Sequence, residues 1–194
     1  MQKKWGIQPY EAAIKTCKCA REHICFGLQV SNAILNDVLK PECLEFDKGC
    51  YWKTIEWNKN IEAFREQAQW LSFACFSFGV ILFCETYFDL YEGKTADPDE
   101  TPDLYSAQMI LRIVRNSMGH VSADSSENVQ MRWNVEKKAY RRPYKVKEIN
   151  MELDATDLDG QTFKLDPLGG MVNFLNLLNY LEKNLIDATS KIKE

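Results

Sequence analysis

The stretch that most constrains this chain is "WLSFACFSFGVILFC", Trp70 to Cys84, in which only Ser72, Ser77 and Gly79 interrupt apolar and aromatic residues. A helix that is apolar nearly all round has to be covered on several sides, by neighbouring helices or by lipid. A spanning helix needs about 20 mostly apolar residues. This run stops short, bounded by Gln67, Gln69, Glu85 and Asp89. The expectation is therefore the central helix of a bundle, with no membrane partner.

The rest of the chain has what such a bundle needs. Its 194 residues suit one domain, 1–194, and 45% hydrophobic with 27% charged residues is a globular balance. The N-terminal "MQKKWGIQPYEAAIK" shows no apolar signal-peptide core, so a cytoplasmic location is expected. Seven scattered cysteines, several in apolar segments, read as reduced thiols packed as small hydrophobes. A net charge of -4 means that any nucleic-acid contact must come from a local basic patch.

Helical spacing recurs from Tyr10 to Leu39, with a kink expected near Gly27 and a stop at Pro41, and again from about Ile61 to Tyr91 before Gly93. A third helix is signposted by Thr101 as N-cap, Pro102 at the first position and Asp103 at the positive end of the dipole. Its apolar stripe is Leu104, Ala107, Leu111, Val114 and Met118. Beyond residue 120 the period shortens towards two, with breaks at Pro143 and at the turn pair Asp159-Gly160, which predicts a small antiparallel β insertion over about 129–165. A last helix follows, with Phe174, Leu177, Leu178, Leu181 and Leu185 on one stripe. The fold class expected is mainly α: an up-and-down bundle of four to five helices with a β insertion before the last.

The third helix ends unusually, in "LRIVRNSMGHVSADSS". At about 100° per residue, Arg112, Asn116 and His120 form one row, with Arg115 at its edge. Met109 and Ile113 fall on the same face, which is read as outward and suited to a contact partly dry and partly chemical. Basic residues complementing the negative end of the helix account for Arg115 or His120 taken singly. They do not account for the group.

"RNSMGH" resembles the signature of the HEPN superfamily (higher eukaryotes and prokaryotes nucleotide-binding): an arginine, a polar residue directly after it, and a histidine a few positions on. The preceding "FGVILFCETYFDLYE" resembles the long hydrophobic helix before the signature helix in that family. The resemblance covers about Ile61 to His120; the β insertion has no counterpart in it. It implies a HEPN-like bundle that forms a homodimer through the helix carrying Arg115 and His120 and acts as a metal-independent endoribonuclease, without cofactor or metal. A toxin or phage-defence role and an antitoxin protein as partner are further expectations of the same kind.

The residue types suit that chemistry. RNA carries its own nucleophile, the 2'-hydroxyl, so the protein must move protons and stabilise a crowded, doubly charged phosphorane. His120 suits acid or base work, Arg115 offers a planar fork of donors to phosphate, and Asn116 can orient the phosphate or the histidine. Arg112 joins them from the helix row. The basic segment "KKAYRRPYKVK" adds Tyr140, Arg141, Arg142, Tyr144 and Lys145 as RNA-binding candidates, cations interleaved with stacking rings. The competing reading of that segment is an edge strand protected by charge and Pro143. The alternative function is a non-catalytic HEPN-like module that binds nucleic acid, a nucleotide or a protein partner.

Overall fold

The computed structural model describes residues 7–40, 59–91, 93–119, 121–123 and 129–193. Among these the protein is mainly helical, a bundle of four α-helices with a small antiparallel β insertion before the last. The helices are α1 (Ile7–Leu35), α2 (Ile61–Leu90), α3 (Pro102–Met118) and α4 (Gly170–Lys193). Strand β1 (Val121–Ala123) pairs with β2 (Val129–Met131), and β3 (Pro143–Val146) with β4 (Met151–Asp154). The chain divides into two compact units, residues 22–79 and residues 1–21 with 80–194.

In the 22–79 unit, Ile34, Phe64 and Ala68 form a small core with Val30 and Leu39 packed on it. Helix α1 runs unbroken through Gly27, so the expected kink is absent. The glycine serves close approach instead: a Cβ placed there would lie 2.3 Å from Cys75 Cβ. Helix α1 also ends before Leu39. Asp37 adopts a left-handed φ of 57°, its N–H donates to Ile34 O and the Val38 N–H to Ala33 O, which is the Schellman closure. Helix α2 starts at Asn60, whose side-chain oxygen accepts the Ala63 N–H at 3.1 Å.

The apolar run Trp70–Cys84 lies within this 30-residue helix, which by length and composition could cross a bilayer. The shortness argument made from the run alone therefore does not hold. A core helix of a bundle passes the same test, and 44% of the most apolar window is buried within the protein.

The larger unit has the principal core: Cys17 and Ala20 from α1, Val80, Phe83 and Tyr87 from α2, and Ile110, Leu111 and Val114 from α3 are all fully buried. Phe174, Leu177, Leu178, Leu181 and Leu185 of α4 are buried as the stripe predicted. Strand β3 packs on α3, and the β3–β4 hairpin turns its alternate residues Tyr144, Val146, Met151 and Leu153 inward. Pro143 begins β3 rather than breaking it, a place where a strand tolerates the missing donor. The β structure begins at Val121, earlier than expected, because three-residue strands are too short to show a period. Asp159-Gly160 does not turn one paired strand into the next; it brings 160–163 beside 131–133, with the Gly160 N–H on Trp133 O and the Phe163 N–H on Met131 O, both 2.9 Å.

Candidate functional site

Helix α3 is the most enclosed element around the site. From Ser106 to Met118 every residue is buried except Arg112, Arg115 and Asn116. Positions i, i+3 and i+4 fall on one face, so these three form a single half-exposed polar strip on the otherwise buried part of the helix. The sequence expected Met109 and Ile113 on the outward face as well. They are instead 4% and 0% exposed, because α3 is packed from more than one side.

The strip is one wall of a cleft of about 250 Å³. Helix α2 supplies a second wall through Cys84, Glu85 and Phe88, and Lys137 and Tyr140 from the segment after β2 complete it. Three cations face one carboxylate there, so the cleft is net positive in a chain of net charge -4. The Arg112 guanidinium lies 4.1 Å from the Phe88 ring centroid and donates to Gly93 O. Arg115 donates from Nε and Nη2 to one oxygen of Glu85, at 2.9 and 2.5 Å. That pair uses the side edge of the guanidinium and leaves the Nη1 corner without a hydrogen bond among the described residues. Both side chains are about half-exposed, so the pair adds roughly 1 kcal/mol or less to stability. Its interest lies in how it orients the fork.

Cys84 is no nucleophile under ordinary conditions. Burial, with Glu85 adding to it, pushes its thiol up to about 12, against the smaller opposing pull of Arg115 and Arg112. On the opposite wall, the Lys137 ammonium lies 5.9 Å from the Tyr140 ring centroid. The segment carrying them is tied to α3 where the Asn134 N–H donates to Ser117 Oγ at 3.1 Å.

Arg112, Arg115, Asn116 and Tyr140 thus line one cleft, while other nominated residues do not join them. Tyr144 is 2% exposed, on the inward phase of β3, and its hydroxyl donates to Ala139 O at 2.7 Å; its ring has no face free for a base. Arg141 donates to Val135 O at 2.8 Å and is paired with Asp159. Arg142 lies 5.4 Å from the ring centroids of both Tyr105 and Tyr144 and donates to the Tyr105 hydroxyl. Lys145 makes an exposed cross-strand pair with Glu152 at 3.0 Å. These four hold the insertion together. His120 lies outside the described residues.

Sequence reasoning missed Glu85 and Phe88. The available signal was that Glu85 is the first charge after the long apolar run, with Phe88 one turn on. In the segment "CKCAREHIC", Cys17 is buried, Cys19 and His23 are exposed and Cys25 is half-buried; among the described residues no group of three or more His, Cys, Asp or Glu is placed to hold a metal. Comparison with family models, with curated proteins and with solved structures returned no match.

Proposed function

We propose that the protein is a HEPN-like, metal-independent endoribonuclease whose cleft receives the phosphodiester of an RNA strand. The observation that carries this reading is the α3 strip: over Ser106 to Met118, where the helix is otherwise buried, the residues left in contact with solvent are two arginines and an asparagine, facing a lysine and a tyrosine. Arginine forks and an amide are donors matched to phosphate oxygens.

In the reaction proposed, the 2'-oxygen bonds to phosphorus and the bond from phosphorus to the 5'-oxygen breaks. The products are a 2',3'-cyclic phosphate and a free 5'-hydroxyl. One histidine takes the 2'-hydroxyl proton and a second gives a proton to the leaving 5'-oxygen. Arg115 and Asn116 stabilise the charge that develops on the phosphorane oxygens. In sequence each chain has a histidine, His120, four positions after Asn116, so the working form proposed is a homodimer in which two copies of His120 share the work. A toxin or phage-defence nuclease checked by an antitoxin protein is the biological setting this reading favours.

The test is incubation of the full chain with single-stranded RNA in excess EDTA, with end-group analysis of the products. Wild type is expected to leave cyclic phosphate ends, and His120→Ala to lose about 100-fold or more in rate. Intact RNA with wild type, or equal cleavage by His120→Ala, refutes catalysis. The second reading, a module that binds RNA without cutting it, takes support from the Glu85 carboxylate already holding Arg115. It predicts a retained complex and no products.

A further inference from the structure

The aromatic wall of the cleft has a role that the phosphate-binding strip does not explain. Tyr140 is half-buried and belongs to the short 3-10 turn Lys138–Tyr140, where its N–H donates to Lys137 O at 2.8 Å. The backbone is held on both sides of it. Before it, Ala139 O accepts the Tyr144 hydroxyl; after it, the Arg141 N–H donates to Lys138 O at 3.2 Å and the Arg141 guanidinium holds Val135 O. Asp159 closes the arrangement by accepting the Val135 N–H at 2.8 Å while pairing with Arg141. The ring therefore stands on a turn that binding need not first order, so little conformational freedom is lost when a ligand docks on it.

Around the ring the cleft offers donors for an anion: the corner of Arg115 that makes no hydrogen bond among the described residues, the Asn116 amide and the Lys137 ammonium. Tyr140 itself lines the cleft, with the Lys137 ammonium 5.9 Å from its ring centroid. A ligand with one planar group and one adjacent phosphate matches both features, whereas a paired and stacked base presents no free face to a side chain.

We propose that Tyr140 is the platform on which the cleft holds one unpaired nucleobase, with the neighbouring phosphate carried by Arg115, Asn116 and Lys137. This inference rests on the RNA reading and narrows it to single-stranded RNA, taken without preference for a particular base. Stacking on a tyrosine face is open to every base, and no hydrogen-bonding group of the cleft is needed to select one.

The experiment measures binding by fluorescence anisotropy, using full-length His120→Ala protein so that RNA is not consumed. The probes are a labelled single-stranded oligoribonucleotide, a ribose-phosphate strand of equal length without bases, and the duplex of the first. The baseless strand and the duplex are expected to bind about 5- to 150-fold more weakly than the single strand, the range that one stacked base supplies. Adding Tyr140→Ala is expected to weaken the single strand by that factor and leave the baseless strand unchanged; Tyr140→Phe, which keeps the ring, restores binding. Equal affinity for the single strand and the baseless strand, or an unchanged affinity with Tyr140→Ala, overturns the platform and leaves RNA binding standing. A duplex bound as tightly as the single strand overturns the requirement for an unpaired base. Failure to bind any of the three probes overturns the RNA reading and the platform with it.

Discussion

Gly27→Ala sets two well-measured effects against each other within the 22–79 unit. On helix propensity alone the change stabilises, since alanine is better than glycine in a helix interior by about 1 kcal/mol. The packing opposes it. The new Cβ would meet Cys75 Cβ at 2.3 Å and Sγ at 2.6 Å, where carbon atoms ordinarily rest about 3.5–4.0 Å apart. A Cβ cannot rotate away from its neighbour, so α1 and α2 must part by about 1 Å here. Overpacking of this kind costs typically 1–3 kcal/mol. The net expectation is a loss of about 0–2 kcal/mol, or up to about 8 °C in Tm for a chain of this size. Urea unfolding followed by tryptophan fluorescence measures it. The partner substitutions identify the cause: Cys75→Ala removes Sγ but keeps the closer Cβ and gives little rescue. Cys75→Gly removes both, so in the double variant the two changes should couple favourably by about 1–3 kcal/mol. A Gly27→Ala protein more stable than wild type, or equal rescue by alanine and glycine at position 75, would show that the close contact is not what holds Gly27 in place.

Gln108→Leu replaces a side chain with no exposure whose oxygen accepts the Ala96 N–H at 2.6 Å; stability is expected to fall by about 1–3 kcal/mol, and the Ala96 amide to exchange faster by hydrogen-exchange mass spectrometry. The buried thiols of Cys17 and Cys84, both pushed from 9.0 to about 12 chiefly by burial, stay protonated in the folded protein after they ionise in the unfolded chain. Their contribution is therefore complete below about pH 9 and is lost between about pH 9 and 12, at up to about 1.4 kcal/mol per pH unit per thiol. Urea midpoints across that window should fall less steeply for Cys84→Ala than for wild type, and parallel curves would contradict the assignment.

What the sequence made legible was whatever depends on one element at a time. The start of α3 at Pro102 and the buried stripe of α4 follow from local patterns, and both stand. The grouping of Arg112, Arg115 and Asn116 is equally a property of one helix. Helical geometry gives the angle between side chains but not the number of neighbours around the helix, and for that reason Met109 and Ile113 looked exposed when they are core. The same limit explains the tyrosines of the basic segment. Tyr140 and Tyr144 look alike in "KKAYRRPYKVK", and only the pairing of β3 with β4, which turns Tyr144 inward, separates the platform from the core residue. Asp37 ends α1 in a left-handed conformation where glycine is the usual signal, so the end fell beyond what residue preferences reveal. Glu85 and Lys137 reach the cleft from separate elements, and their meeting with Arg115 is a fact of tertiary structure.

The tether made by Asp159 has a consequence for how this site can vary. Two walls of the cleft are helices whose inner faces are committed to the core, and a substitution there disturbs packing before it alters the cleft. The third wall is fastened by hydrogen bonds, among them those of one carboxylate that takes the Val135 amide and the Arg141 guanidinium and that is not among the residues lining the cleft. Lengthening or neutralising that carboxylate is expected to shift where Lys137 and Tyr140 stand, at the cost of the hydrogen bond to the amide of the buried Val135. A residue that does not line the cleft thereby helps set the position of the wall that does.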